Sequence, residues 1–169
     1  MKKVFLFIVI LSLLTNCNIR KKTLVHYIST LENIKVFPPT NEEAIIIEKL
    51  ELKSKEFLEK CKRDGNVCID DDPINRAHFK TGVTGFRKII FEQFQVNRES
   101  KGGENKILVT IGKKDSIESI VFLKYTDEDS KRQIEQIFKS KELNQWRSAT
   151  NHRFPVKTHF EISIFIEKR

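Results

Sequence analysis

Gln145–Ile166 reads QWRSATNHRFPVKTHFEISIFI, and its second half decides the fold. Val156, Thr158, Phe160, Ile162, Ile164 and Ile166 fall on one side of an alternating pattern, with Lys157, His159, Glu161, Ser163 and Phe165 on the other. Successive side chains of a strand point to opposite faces, so the alternation predicts a strand with one buried face. The first half carries Trp146, the single tryptophan, followed by an irregular basic loop from Arg147 to Phe154. Trp146 is expected to anchor a core, because a large ring at a segment's end gains most by being buried.

Working back along the chain, KILVTIGKKDSIESIVFLK from Lys106 to Lys124 gives two β-rich runs, Ile107–Ile111 and Ile117–Leu123. Gly112–Ser116 joins them, which predicts a hairpin. Between that hairpin and Trp146, Asp127 to Ser130 offers N-caps for a helix carrying Ile134, Ile137, Phe138 and Leu143 on one face. Ahead of the hairpin, Phe86, Ile89, Ile90 and Phe94 recur at three- and four-residue steps, so a helix starts near Thr84. Residues 84 to 167 thus read helix, strand, strand, helix, strand.

Further upstream, Thr40-Asn41-Glu42-Glu43 has the pattern of a capping box. It opens an amphipathic helix over about residues 41 to 62, with Ile47, Leu50, Ser54, Phe57, Leu58 and Cys61 at helical spacing. Residues 17–39 read as a tether ending in Pro38-Pro39, with one short strand around Leu24 to Ile28. Cys61 and Cys68 flank KRDGNV, whose Asp-Gly-Asn is a turn signal able to fold the two thiols together. In an exported chain this even pair predicts a disulfide, whereas a lone C-x6-C lacks the ligand number that a metal site needs. Asp70, Asp71 and Asp72 are consecutive rather than alternate, which does not match a calcium loop.

The chain opens MKKVFLFIVILSLLTNC, two lysines and then an apolar run from Val4 to Leu14. The run is too short to cross a hydrocarbon core as a helix of about 20 residues, and it reads as a signal peptide over residues 1–16. Leu14-Thr15-Asn16-Cys17 resembles the lipobox of bacterial lipoproteins, which implies lipidation of Cys17 and a membrane attachment through that lipid. Asn18, rather than Asp, after the cysteine resembles an outer-membrane sorting signal more than an inner-membrane one. The formal charge of +8 is spread over scattered lysines and arginines rather than gathered on one module, so no nucleic-acid partner is expected.

The order of elements together with QWRSATNHRFPV is where the chain resembles the TonB C-terminal domain family. That family runs from a helix ending near Trp through W-x-P-G-x-x-x-G-x-P-V into its last strand; Trp146, Pro155 and Val156 match without a gap. Ser148 and Ala149 stand in place of its Pro-Gly, Arg153 in place of its second Gly, and Ser116 in place of a hairpin Gly. The resemblance implies an α+β fold, with an antiparallel sheet of about three strands packed against two helices and an additional N-terminal helix. The single domain spans residues 40–169, with the family-like part at about 84–169.

The resemblance also implies a binding module that docks an extended segment of an envelope partner, such as a TonB-dependent receptor, by adding a strand. Phe160, Ile162, Ile164 and Ile166 are then the expected partner-binding edge strand. No spanning motor-coupling helix or long Pro-rich spacer is read here, so the expectation is a lipid-anchored relative facing the periplasm. His26, His78, His152 and His159 are scattered, no serine sits in a nucleophile elbow and no H-E-x-x-H occurs. No catalytic residue, cofactor, metal or small-molecule substrate is therefore expected. The alternative is an immunity or inhibitor lipoprotein that presents the loop from Arg147 to Phe154 to a soluble hydrolase or toxin.

Overall fold

The computed structural model describes residues 24–68 and 74–168. The signal peptide, Cys17 and Asp70–Asp72 lie outside the described residues. The chain runs through β1 (Leu24–Ile28), β2 (Glu32–Val36), α1 (Asn41–Arg63), β3 (Ile74–Asn75), β4 (His78–Phe79), α2 (Gly82–Gln93), β5 (Gly103–Ile111) and β6 (Ile117–Lys124). It continues through α3 (Glu128–Phe138), β7 (Trp146–Arg147), β8 (Ala149–Asn151), β9 (Phe154–Val156) and β10 (Thr158–Lys168). The fold is α+β with antiparallel sheets and three helices among the described residues.

Eleven residues long, β10 carries the alternation seen in the sequence and lies in the middle of the main sheet. On one side it pairs with β5 from Thr158↔Ile111 to Ile166↔Gly103. Its other side is shared by β1, which pairs along Ile28↔Ile164, and β2, which pairs along Val36↔Thr158. The sheet therefore has five strands rather than about three. The short strand expected at Leu24–Ile28 is β1, and β2, which the sequence left in the tether, joins it, since β10 is long enough to need two short strands along one margin.

The inward faces of β5 and β10 meet α2 and α3 in one core. Ile107, Val109, Ile111, Phe160, Ile162, Ile164 and Ile166 pack against Phe86, Ile90, Phe94, Ile134, Ile137 and Phe138. Trp146, only 4% exposed, sits at its centre with ring centroids 5.1 Å from Phe86, 5.2 Å from Phe160 and 5.5 Å from Phe79. α3 begins where Asp127 accepts from Ser130 N at 2.8 Å and from Lys101 N at 3.1 Å. Asn105, fully buried in β5, joins that cap to the sheet, accepting from Thr126 N at 2.9 Å and donating to the Ile164 carbonyl at 3.4 Å. A buried amide is retained there because each of its polar ends finds a partner.

α1 starts on the expected capping box, with Thr40 Oγ1 accepting from Glu43 N and Glu43 Oε2 accepting from Thr40 N. It closes on a left-handed Gly65 with φ +68°, Gly65 N donating to the Lys62 carbonyl and Asn66 N to the Cys61 carbonyl, the paired bonds of a Schellman motif. That turn brings Cys68 back onto Cys61, and the two form a disulfide. Only Ile47 of this helix is buried, in a small cluster with Ala149 and Val156. Phe57, which the helical spacing put on the packing stripe, is 64% exposed.

Candidate functional site

The expected docking edge falls in the wrong place. Phe160, Ile162, Ile164 and Ile166 are at most 2% exposed and all pair with β5, while β1 and β2 flank the strand's other side, pairing with Ile164 and Ile166 and with Thr158, His159 and Glu161. One buried face is compatible with a central strand as well as an edge strand, and the alternation in sequence does not distinguish them. Two margins are left open among the described strands: that of β6, which pairs only with β5, and the outer one of β1 and β2, which pair only with β10. Regular pairing from Phe122↔Ile107 to Ser119↔Thr110 is bounded by register shifts next to Lys106 and Ile111. Such bulges end a ladder, so about four residues of β6 present a straight margin. Ile120 and Phe122 turn inward against the core, whereas Val121 is 51% exposed and Leu123 50%. An exposed run of this kind, with its backbone groups unpaired on one side, is a template for another strand.

The β5–β6 turn is held by its contacts with β7 and β8 rather than by glycines. Asp115 takes a left-handed φ of +56°, a conformation that Asp tolerates better than most side chains. Its N–H donates to Ser148 Oγ at 2.9 Å, and its carboxylate accepts from Ser148 N at 2.8 Å. Ser148 Oγ in turn donates to the Gly112 carbonyl at 2.7 Å. The N–H of Ser148 holds the Asp115 carboxyl below its usual range. In the next turn, His152 and Arg153 both have positive φ, +46° and +67°, and join β8 to β9 through the Asn151↔Phe154 pair. Two left-handed central residues are the requirement of a type I′ turn, which this chain meets without glycine.

On either side of the β5–β6 turn lies a shallow cleft. One, of about 330 Å³, is lined by Arg76, His78, Lys113, Asp115, Arg147 and Ser148 among others. The second, of about 340 Å³, is lined by Gly112, Lys113, Lys114, Ser116, Glu118 and Lys157. Lys113 belongs to both and is ion-paired with Glu43 of α1, while its ammonium lies 5.8 Å from the Phe154 ring. Glu118, at the start of β6, pairs with Lys157. Five cationic side chains thus face two carboxylates, and Arg76, Lys114 and Arg147 have no ion pair among the described residues.

His78, Asp115 and Ser148 line one cleft, yet they do not form a nucleophilic relay. The proton of Ser148 goes to a main-chain carbonyl, and the carboxylate of Asp115 accepts from a main-chain N–H instead of orienting an imidazole. The other histidines are apart: His26 Nε2 meets the Phe91 carbonyl at 3.0 Å, His159 packs edge-on against Phe37, and His152 sits in the β8–β9 turn. Glu118 and Glu161 do not share a proton either. Glu161 lies on the helix-free face of the sheet, where Lys106 at 2.6 Å, then Asn33 at 2.8 Å, hold its carboxyl below the usual range. Among the described residues there is no metal-binding group of His, Cys, Asp or Glu, and no helix is long and apolar enough to cross a membrane. Searches of family models, characterised proteins and solved structures returned no match to this chain.

Proposed function

We propose that this protein is a lipid-anchored binding module of the cell envelope, TonB C-terminal-like in arrangement, that docks an extended segment of an envelope or outer-membrane transport partner along β6. The supporting observation is the open margin of β6: a straight ladder with Val121 and Leu123 exposed beside it, on a strand whose inward side chains are fixed in the core. Main-chain hydrogen bonds supply affinity in this mode of recognition, and pockets beside alternate residues supply selectivity. The chain order from Gly82 to Lys168, helix, strand, strand, helix and then three short strands before β10, keeps the helix, strand, strand, helix, last-strand frame of the family resemblance as a second support. The anchor on Cys17 would hold the module at the membrane, facing the periplasm.

The test is site-specific photo-crosslinking in the bacterial envelope, with the photoreactive residue at Val121 or Leu123 and, separately, at His152 and Arg153. Adducts from β6 that map to an extended segment of a membrane protein are expected. Adducts confined to His152 and Arg153 and mapping to a soluble hydrolase or toxin would replace this reading with the immunity or inhibitor one, which the exposed β8–β9 turn beside the basic cleft would serve.

A further inference from the structure

The two clefts flanking the β5–β6 turn carry more positive charge than their own carboxylates neutralise. Asp115 is engaged by the Ser148 backbone and Glu118 by Lys157, which leaves Arg76, Lys114 and Arg147 without an ion-pair partner among the described residues. The cations are divided between the two clefts, Lys157 and Lys114 lining one, Arg147 and Arg76 the other, and Lys113 both. Two clefts of about 330 and 340 Å³ that share Lys113 hold five cations between them, more than one small anion neutralises, and suit a run of acidic side chains. Guanidinium groups favour carboxylates through paired N–H donors, and backbone rigidity here comes from the Asp115–Ser148 bonds.

The second cleft adjoins the β6 margin, because Glu118, one of its lining residues, is the β6 residue just before Ser119. We infer that these clefts are a binding site for an acidic peptide segment, a run of Asp or Glu carboxylates in the partner protein, lying next to the stretch that pairs with β6. This inference rests on the strand-addition reading for its placement, while its chemistry belongs to the clefts alone.

The experiment is a titration of the ¹⁵N-labelled protein with hexaglutamate, hexaglutamine and inorganic phosphate, followed by amide shifts. Hexaglutamate is expected to move the amides of residues 112–116 and 147–150 together with those of Arg76 and His78, and hexaglutamine to move none. Raising the salt from about 0.05 to about 0.3 M shortens the screening length, so binding should weaken several-fold. The double variant Arg76→Gln/Arg147→Gln, whose two side chains are exposed, should lose at least about tenfold in affinity, as expected for two charged hydrogen-bonding groups. Lys88→Gln on α2 should bind as the parent does. Phosphate producing the same shifts at equal concentration would overturn the choice of an acidic peptide. Absence of shifts, shifts spread over all lysines and arginines, or unchanged affinity in the double variant would overturn the site itself. Val121→Lys separates the two claims: if it removes the β6 crosslinks and leaves hexaglutamate binding intact, both stand. Crosslinks at β6 without hexaglutamate binding sink only the acidic-segment inference, and hexaglutamate binding without β6 crosslinks sinks only strand addition.

Discussion

Asp115 and Ser148 exchange hydrogen bonds from main chain to side chain across 33 residues of sequence, Asp115 N donating to Ser148 Oγ at 2.9 Å and Ser148 N to Asp115 Oδ1 at 2.8 Å. This pair fixes the β5–β6 turn against β7 and β8, and with it the start of β6. Ser148 is 8% exposed, and its hydroxyl serves two backbone groups, Asp115 N and the Gly112 carbonyl. Ser148→Ala is expected to cost about 1–3 kcal/mol, the penalty for buried groups left unpaired. Chemical denaturation measures it. A change within experimental error would mean that the turn is held by other contacts.

Acid should destabilise the fold through two carboxylates in particular. Asp115 is held below its usual range by the Ser148 N–H. For Asp127, burial pushes upward, but the N–H groups of Ser130 and Lys101 outweigh it and the net direction is down. A depressed carboxyl contributes stability that is complete above its unfolded value, about 3.9, and that is lost as the pH falls through the lower folded value. Stability should therefore fall below about pH 4, and Asp127→Asn, which keeps an acceptor at the cap, should give a shallower acid limb than the parent. Thermal melts between about pH 2 and 7 test this. Parallel limbs for parent and variant would contradict it.

Trp146 contributes through its ring rather than its polar atom, since Nε1 is buried with no hydrogen-bond partner. Trp146→Ala should cost about 3–5 kcal/mol, whereas Trp146→Phe keeps the aromatic packing against Phe86 and Phe160 and relieves the unpaired N–H. The phenylalanine variant is expected to retain more than half of the lost stability when both are compared by denaturant midpoint. Equal losses would show that the indole itself is required.

What the sequence disclosed follows from the range of the forces involved. The capping box at Thr40, the helix ends, the β5–β6 hairpin and the Cys61–Cys68 turn are set by neighbours within a few residues, and each was readable. The position of β10 was not, because whether a strand is central depends on β1 and β2, more than 120 residues away in sequence. The strand at Leu24–Ile28 was readable, whereas Glu32–Val36 is polar enough to read as a tether and takes its strand character from pairing with β10 rather than from a buried face. The basic clefts escaped for the same reason: Arg76, Lys113 and Arg147 come from three separated segments. The one local hint was Asp115, a residue suited to a left-handed turn position, opposite a loop that lacks the glycines of the family it resembles.

Central to the account is that β6 offers a free margin while β10 is sealed. Residue-by-residue amide exchange of the free protein tests this most directly, because protection reports which backbone N–H groups are paired. The account predicts alternating fast and slow amides from Ser119 to Phe122, and protection close to that of global unfolding for every amide from Phe160 to Ile166. Uniform protection along β6, or rapid exchange within β10, would contradict it.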